Sequence, residues 1–325
     1  MSTYKGIQGF AIQNRSSDPT TFITGQVWYN STNQVFKVTT SATSSSDSWA
    51  TGGTMGTARY NLAGAGTQNA ALGFGGWTGS PGTESTATEE YNGTAWTGGG
   101  ALPGAKRGLG GAGIQTAALA IAGYLGGTGY FFTTTEEYNG SAWTAGGALA
   151  NGRGYFASCG TQTSGLAAGG SSPAYNLTEE YNGSAWTAGG NLGTGREFIT
   201  GAGTQTAALA FGGAPPYAGM VNNEEYDGSA WTAGGSLGTG RYATVGAGTQ
   251  TAGLCAGGTG DEDGTELYDG TSWTTSANMS LNRNYFGAAG SQAAAVVFST
   301  RSPTISGATE EFLTGTTAIR TITTT

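Results

Sequence analysis

Six tryptophans recur along the chain at nearly even steps: Trp49, Trp96, Trp143, Trp186, Trp231 and Trp273, separated by 42 to 47 residues. A fixed period in this range marks a fold built from copies of one supersecondary unit, and it constrains the chain more than any single residue does. The rest of the unit reads in register. Acidic residues and a ring precede five of the tryptophans, at Glu89-Glu90-Tyr91, Glu136-Glu137-Tyr138, Glu179-Glu180-Tyr181, Glu224-Glu225-Tyr226 and Glu266-Leu267-Tyr268. A sixth copy, Glu310-Glu311-Phe312, has no tryptophan after it. One arginine is assigned to each unit: Arg59, Arg107, Arg153, Arg196, Arg241 and Arg283. An apolar run follows and often ends in Gly-Gly, as at Gly75-Gly76, Gly169-Gly170, Gly212-Gly213 and Gly257-Gly258. The second copy has Ala122-Gly123, and the sixth run, Ala293 to Phe298, ends without the pair.

Residues 196 to 231 are the clearest copy. Phe198 to Ala202 reads as a first strand. Thr206 to Phe211 reads as a second, too short and too flanked by glycine for a helix. Glu224-Glu225-Tyr226 is a third, and Ser229 to Thr232 a fourth and outermost. Asp227-Gly228 between them is a tight-turn signal, repeated at Asn92-Gly93, Asn139-Gly140 and Asn182-Gly183. Such pairs accept positive φ at both central positions of a hairpin turn. Four short antiparallel strands per period, six times over, predict an all-β, six-bladed β-propeller. A right-handed parallel β-helix is the main rival, but it has no obvious use for the Asn-Gly hairpins. The 62 glycines fit inner strands that approach closely. Leu119, Leu166, Leu209, Leu254, Phe74, Phe211 and the tryptophans supply the packing.

Trp49 precedes the first arginine, as every other tryptophan precedes the next one. It is therefore expected to supply the outer strand of the blade running from Arg283 to Phe312, closing the ring and removing an open edge. The competing closure uses Thr316 to Thr323. The expected organisation is an N-terminal segment, residues 1–48, and a propeller, residues 49–325.

The unit resembles the kelch repeat, with its Gly-Gly, spaced Tyr, Trp and then Arg. Gly212-Gly213, Tyr226, Trp231 and Arg241 fall in that order, as do Gly169-Gly170, Tyr181, Trp186 and Arg196. The resemblance covers about residues 49 to 312. The linkers, Ala-Gly-Gly-x-Leu-Gly-Thr-Gly-Arg, and the alanine-rich strands depart from it and argue against a eukaryotic adaptor. Residues 25 to 38, with Trp28, Tyr29 and Phe36, read as a β-hairpin around Asn-Ser-Thr-Asn. This segment resembles one found in virion proteins of tailed phages, especially those of cyanobacteria. That resemblance implies a virion protein attached to other virion proteins through residues 1–48, as a fibre, decoration or adhesion component. A stand-alone glycan-binding lectin is the alternative.

Composition limits the chemistry. The net charge of −8 argues against nucleic acid, since few of the 12 basic residues remain after the repeat set. Met1 to Gly9 lacks a signal-peptide core, and no stretch approaches membrane-spanning length. With no histidine, the commonest general base and transition-metal ligand are missing. No cofactor and no enzymatic activity are expected. Cys159 and Cys255 read as buried thiols ahead of a disulfide. Neighbouring glutamates on a strand point to opposite faces. One of each pair is expected to meet a repeat arginine and the other to be solvated; a cleft carboxylate pair for glycoside hydrolysis is the lesser reading. Asp261-Glu262-Asp263-Gly264 reads as a solvated turn or, less readily, a Ca²⁺ loop.

The loops between second and third strands differ most between copies, and binding usually resides in such loops. Their aromatics, Trp77, Tyr124, Tyr130, Phe131, Tyr175 and Tyr217, suit a host-surface glycan or protein, or packing within a homo-oligomer.

Overall fold

The computed structural model describes residues 13–17, 27–39, 46–79, 83–171, 173–214, 218–315 and 319–322, and none of them is helical. The chain divides into two units. One is Ser48–Leu313; the other holds the described residues of 1–47 and 314–325.

Ser48–Leu313 is a six-bladed β-propeller of antiparallel four-stranded sheets. Blade 4 serves as the type: strands a (Thr200–Thr204), b (Ala207–Phe211), c (Asn223–Tyr226) and d (Trp231–Ala233). The a strands of successive blades meet around the ring. Strand b is buried along nearly its whole length because a neighbouring blade covers each face, so it reads as a continuous apolar run rather than an alternating one. Leu72, Leu119, Leu209, Leu254, Phe74 and Phe211 are fully buried there. Strand d is mostly exposed beyond its tryptophan. At the axis glycine is a steric requirement: a Cβ on Gly64 would lie 2.2 Å from the carbonyl oxygen of Ala288 in the adjacent blade.

Three expectations about the unit are corrected. Strand a begins at Thr200, not Phe198, because Phe198 adopts a left-handed backbone (φ 53°). In the c–d turns only glycine has positive φ, as at Gly93 (86°). The asparagine instead accepts two backbone N–H bonds: Asn92 Oδ1 takes those of Thr94 (3.0 Å) and Ala95 (2.9 Å). The propeller ends at Leu313 rather than residue 325. Thr314, Gly315 and the strand Ile319–Ile322 belong to the other unit, where that strand pairs with Val35–Thr39. The sixth sheet is completed by Ser48–Gly52, antiparallel to Ser306–Leu313, with Trp49 opposite Phe312.

Side chains at constant offsets tie each blade to the one before it. A glutamine in the a–b turn donates its Nε2–H groups to two carbonyls of the preceding blade. Gln115, for example, reaches Ala71 (2.9 Å) and Tyr91 (2.8 Å). Gln68, Gln162, Gln205, Gln250 and Gln292 repeat this. Of the six repeat tryptophans, all but Trp273 donate their Nε1–H to a threonine Oγ1 of the preceding blade at 2.9–3.1 Å. Tyrosine hydroxyls donate to the second glutamate of the preceding blade at 2.5–2.6 Å: Tyr91 to Glu311, Tyr138 to Glu90, Tyr181 to Glu137, Tyr226 to Glu180 and Tyr268 to Glu225. The second glutamates are thus acceptors between blades, not free solvated acids. The sixth link lacks both polar partners together. Phe312 has no hydroxyl, and the place of the glutamate in the preceding blade is taken by Leu267, which packs against the apolar cluster that contains Phe312.

In the other unit, Val27–Asn30 and Val35–Thr39 form the expected hairpin, with Gln13–Arg15 parallel beside it. Asn30 Oδ1 caps the turn by accepting the N–H groups of Thr32 and Asn33. Trp28 is buried, Tyr29 is half-buried, and Phe36 lies on the second hairpin strand with its side chain outside the described residues.

Two measurements test these links. Phe312→Tyr buries a hydroxyl against Leu267 and is expected to cost about 1–3 kcal/mol. Adding Leu267→Glu should recover most of that loss, with a coupling of similar size in a double-mutant cycle by urea unfolding; additive losses would refute the paired replacement. The latched tyrosines also set an alkaline limit. Burial, and then the bond to the glutamate, raise Tyr91, Tyr138, Tyr226 and Tyr268 from 10.0 to about 12. The neutral phenol is the form the fold favours. Its contribution is whole below pH 10 and is lost as pH rises through about 12. The melting temperature should fall steeply over that window, and a flat profile would mean the latches carry no stability.

Candidate ligand-binding face

The offsets from each tryptophan locate the functional positions. The residue ten places on is basic and buried in every unit: Arg59, Lys106, Arg153, Arg196, Arg241 and Arg283. Each pairs with the first glutamate of its own blade. Arg196 reaches Glu224 at 2.5 Å, Arg283 reaches Glu310 at 2.9 Å, and Arg153 and Arg241 pair with Glu179 and Glu266. The glutamates are completed by backbone donors, such as the Gly193 N–H to Glu224 at 2.6 Å. Burial lowers the pKa of Arg59, Lys106, Arg153, Arg196 and Arg283, and the paired carboxylate partly opposes it.

Arg107 does not belong to this set. Lys106 takes the buried place and reaches Glu136 at 2.5 Å. Pro103, seven places after Trp96, has no N–H to give Glu136, and Thr134 Oγ1 donates instead at 2.9 Å. Arg107 falls one position later, half-buried between two rings. Its guanidinium lies 4.4 Å from the Trp77 ring centroid and 5.3 Å from that of Tyr124. Glu84 is 3.7 Å from its Nε.

The residues twelve places after each tryptophan are Asn61, Gly108, Tyr155, Phe198, Ala243 and Tyr285, and all have φ between 52° and 59°. They line a cup of about 100 Å³. Their backbones hold one another: Gly108 N–H donates to Asn61, Tyr155 to Gly108, Asn61 to Tyr285, Tyr285 to Ala243 and Ala243 to Phe198, at 2.7–3.1 Å. Left-handed backbone at a non-glycine residue costs about 1–3 kcal/mol and persists only where its surroundings enforce it. Here a chain of five hydrogen bonds does so, running from Tyr155 round the axis to Phe198 and open between those two.

Around this cup the aromatic groups form a closed circuit. Tyr60 contacts Trp77 (centroids 5.3 Å), Trp77 and Tyr124 enclose Arg107, Tyr124 contacts Tyr155 (6.3 Å), and Tyr155 contacts Phe198 (4.5 Å). Phe198 contacts Tyr285 (5.7 Å), and Tyr285 returns to Tyr60 (6.5 Å). Arg301 is exposed and lies over Tyr60 (5.8 Å) and Tyr285 (5.4 Å). Burial raises the Tyr155 hydroxyl to about 12, against the lowering effect of Arg107.

Of the loop aromatics expected to bind, Trp77 and Tyr124 stand in this circuit and Phe131 packs on Tyr124 at 5.0 Å. Tyr130 is exposed and meets Phe132 in the side hairpin Tyr124–Leu125/Tyr130–Phe131. Tyr175 is exposed in the blade 3 loop, outside the circuit, and Tyr217 lies outside the described residues. Sequence reasoning missed Tyr60, Tyr155, Phe198, Tyr285 and Arg301. The first four lie at the eleventh and twelfth positions after a tryptophan, where residue type varies between units while the tenth stays basic.

The carboxylates elsewhere are committed. Asp261 pairs with Arg241 at 2.9 Å, Glu262 accepts from Asn284 and Ser302, and Asp263 accepts from Asn278. Among the described residues no cluster of three or more metal-binding side chains occurs. Cys159 and Cys255 are buried free thiols, with pKa raised to about 12 and about 11 by burial. No protein-family description matches this chain, and no curated protein matches it.

The division between Lys106 and Arg107 is measurable. Lys106→Met leaves Glu136 buried and uncompensated and should cost about 3–5 kcal/mol in urea unfolding. Arg107→Gln should cost about 1 kcal/mol or less. Equal losses would return Arg107 to the structural set.

Proposed function

We propose that this chain is a non-enzymatic virion protein, a fibre, decoration or adhesion component, that presents a kelch-type propeller for attachment to a host surface. The observation that carries the binding role is the contrast between frame and face. Buried ion pairs and inter-blade bonds recur at fixed offsets, whereas the residues around the axial cup differ from blade to blade. A rigid scaffold bearing variable, half-buried aromatics is the usual setting of recognition.

The non-enzymatic reading draws on the absence of histidine and on the commitment of the paired glutamates to structural bonds. The kelch assignment draws on the order of Gly-Gly, Tyr, Trp and basic residue. The virion assignment draws on the likeness of residues 25–38 to phage virion segments, and residues 1–48 are assigned to partner virion proteins. A stand-alone glycan-binding propeller uses the same face and differs in having no particle partner.

Co-sedimentation separates the two. The full chain is expected to travel with particles purified from lysate through a density gradient, at a fixed copy number per particle. Recovery only in the soluble fraction would overturn the virion role and leave the lectin.

A further inference from the structure

We propose that the axial cup binds an acidic saccharide, a sugar ring bearing a carboxylate; this rests on the face being a binding surface. Four observations converge. First, the rings of Tyr155 and Phe198 are half-buried and open to the cup rather than sealed in a core. Apolar ring faces of this kind stack on the C–H face of a pyranose. Second, these residues and Tyr285 are held in left-handed backbone at a shared cost, which aims large side chains where an extended strand would not. Third, Tyr155 and Tyr285 line the cup, and a phenol hydroxyl such as that of Tyr155 is a hydrogen-bond partner for sugar hydroxyls. Fourth, Arg301 is exposed, and its guanidinium stands 5.4 Å from the ring centroid of Tyr285, which lines the cup, and 5.8 Å from that of Tyr60, with no carboxylate within ion-pairing distance among the described residues.

Every other arginine of the propeller has an acidic partner, Arg107 through Glu84 included. In a chain of net charge −8 an uncompensated guanidinium on an aromatic face is the feature that selects an anion. Its planar fork matches a carboxylate. The cup's volume, about 100 Å³, is on the scale of a sugar ring and too small for a folded peptide.

The test is calorimetric titration of the full chain with tetragalacturonate and, in parallel, with a neutral galactose tetrasaccharide. Binding is expected for the acidic sugar, weakening with added salt, and about tenfold or more weaker for the neutral one. Arg301→Gln, at an exposed position, should keep the melting temperature and lose about tenfold or more in affinity for tetragalacturonate. Tyr175→Ala, outside the circuit, should leave affinity unchanged. Equal affinity for both sugars, no binding of either, or an Arg301→Gln variant that binds as well as the parent would each overturn the proposal. A chain that sediments with particles yet ignores tetragalacturonate loses this site and keeps the virion role. A chain that binds tetragalacturonate but never sediments with particles does the reverse.

Discussion

Each blade completes the hydrogen bonding of the blade before it, and the rest of the propeller depends on that. The bonds that cross between blades end on carbonyls of strands b and c near the c–d turn, such as those of Ala118 and Tyr138, which stand opposite each other. Buried peptide carbonyls without partners are costly. One glutamine amide from the next blade takes two of them, in all six blades, with distances of 2.6–3.2 Å. Because the donors sit at a fixed distance from the tryptophans, the frame from strand c through the next a–b turn tolerates no insertion. All variation in repeat length is pushed into the loops between strands b and c. Those are the loops that supply Trp77, Tyr124 and Arg301 to the face.

Departures from the repeat are repaired locally. Leu267 and Phe312 replace a glutamate and a tyrosine as a pair. Lys106 replaces arginine, and Thr134 replaces the N–H that Pro103 lacks. In five places the carbonyl of the basic residue takes an N–H from the second glycine of the preceding Gly-Gly or Ala-Gly. In the sixth, Ser299 Oγ donates to the carbonyl of Arg59. One departure has no such repair: Asn223 stands where other blades carry threonine, and Trp273 Nε1–H has no acceptor among the described residues. Nothing in the structure explains that exchange.

The face differs physically from the frame. Most frame positions are buried, hydrogen-bonded and of one residue type from blade to blade. Face positions differ in residue type and in burial, and those twelve places after the tryptophans are held in backbone that side chains seldom adopt. Strain that recurs around one axis, enforced by a chain of hydrogen bonds from blade to blade, places Tyr155, Phe198 and Tyr285 together although 43 to 130 residues separate them in sequence.

The period of the tryptophans determined that the chain repeats, and the short apolar runs and Asn-Gly turns determined that each repeat is a four-stranded sheet. Both are local signals, since side-chain alternation and turn chemistry act over a few residues. Arg107 shows their limit. Next to Lys106, either cation fits the local pattern, and only the packed blade decides which meets Glu136 and which is left between Trp77 and Tyr124. Phe198 shows it again, because an apolar residue beside a strand reads as strand until its place at the axis, bonded to Ala243 of the next blade, imposes a left-handed turn. The ring, its latches and the aromatic circuit depend on groups from adjacent blades meeting in space, and that proximity is set by closure of the sheets around an axis.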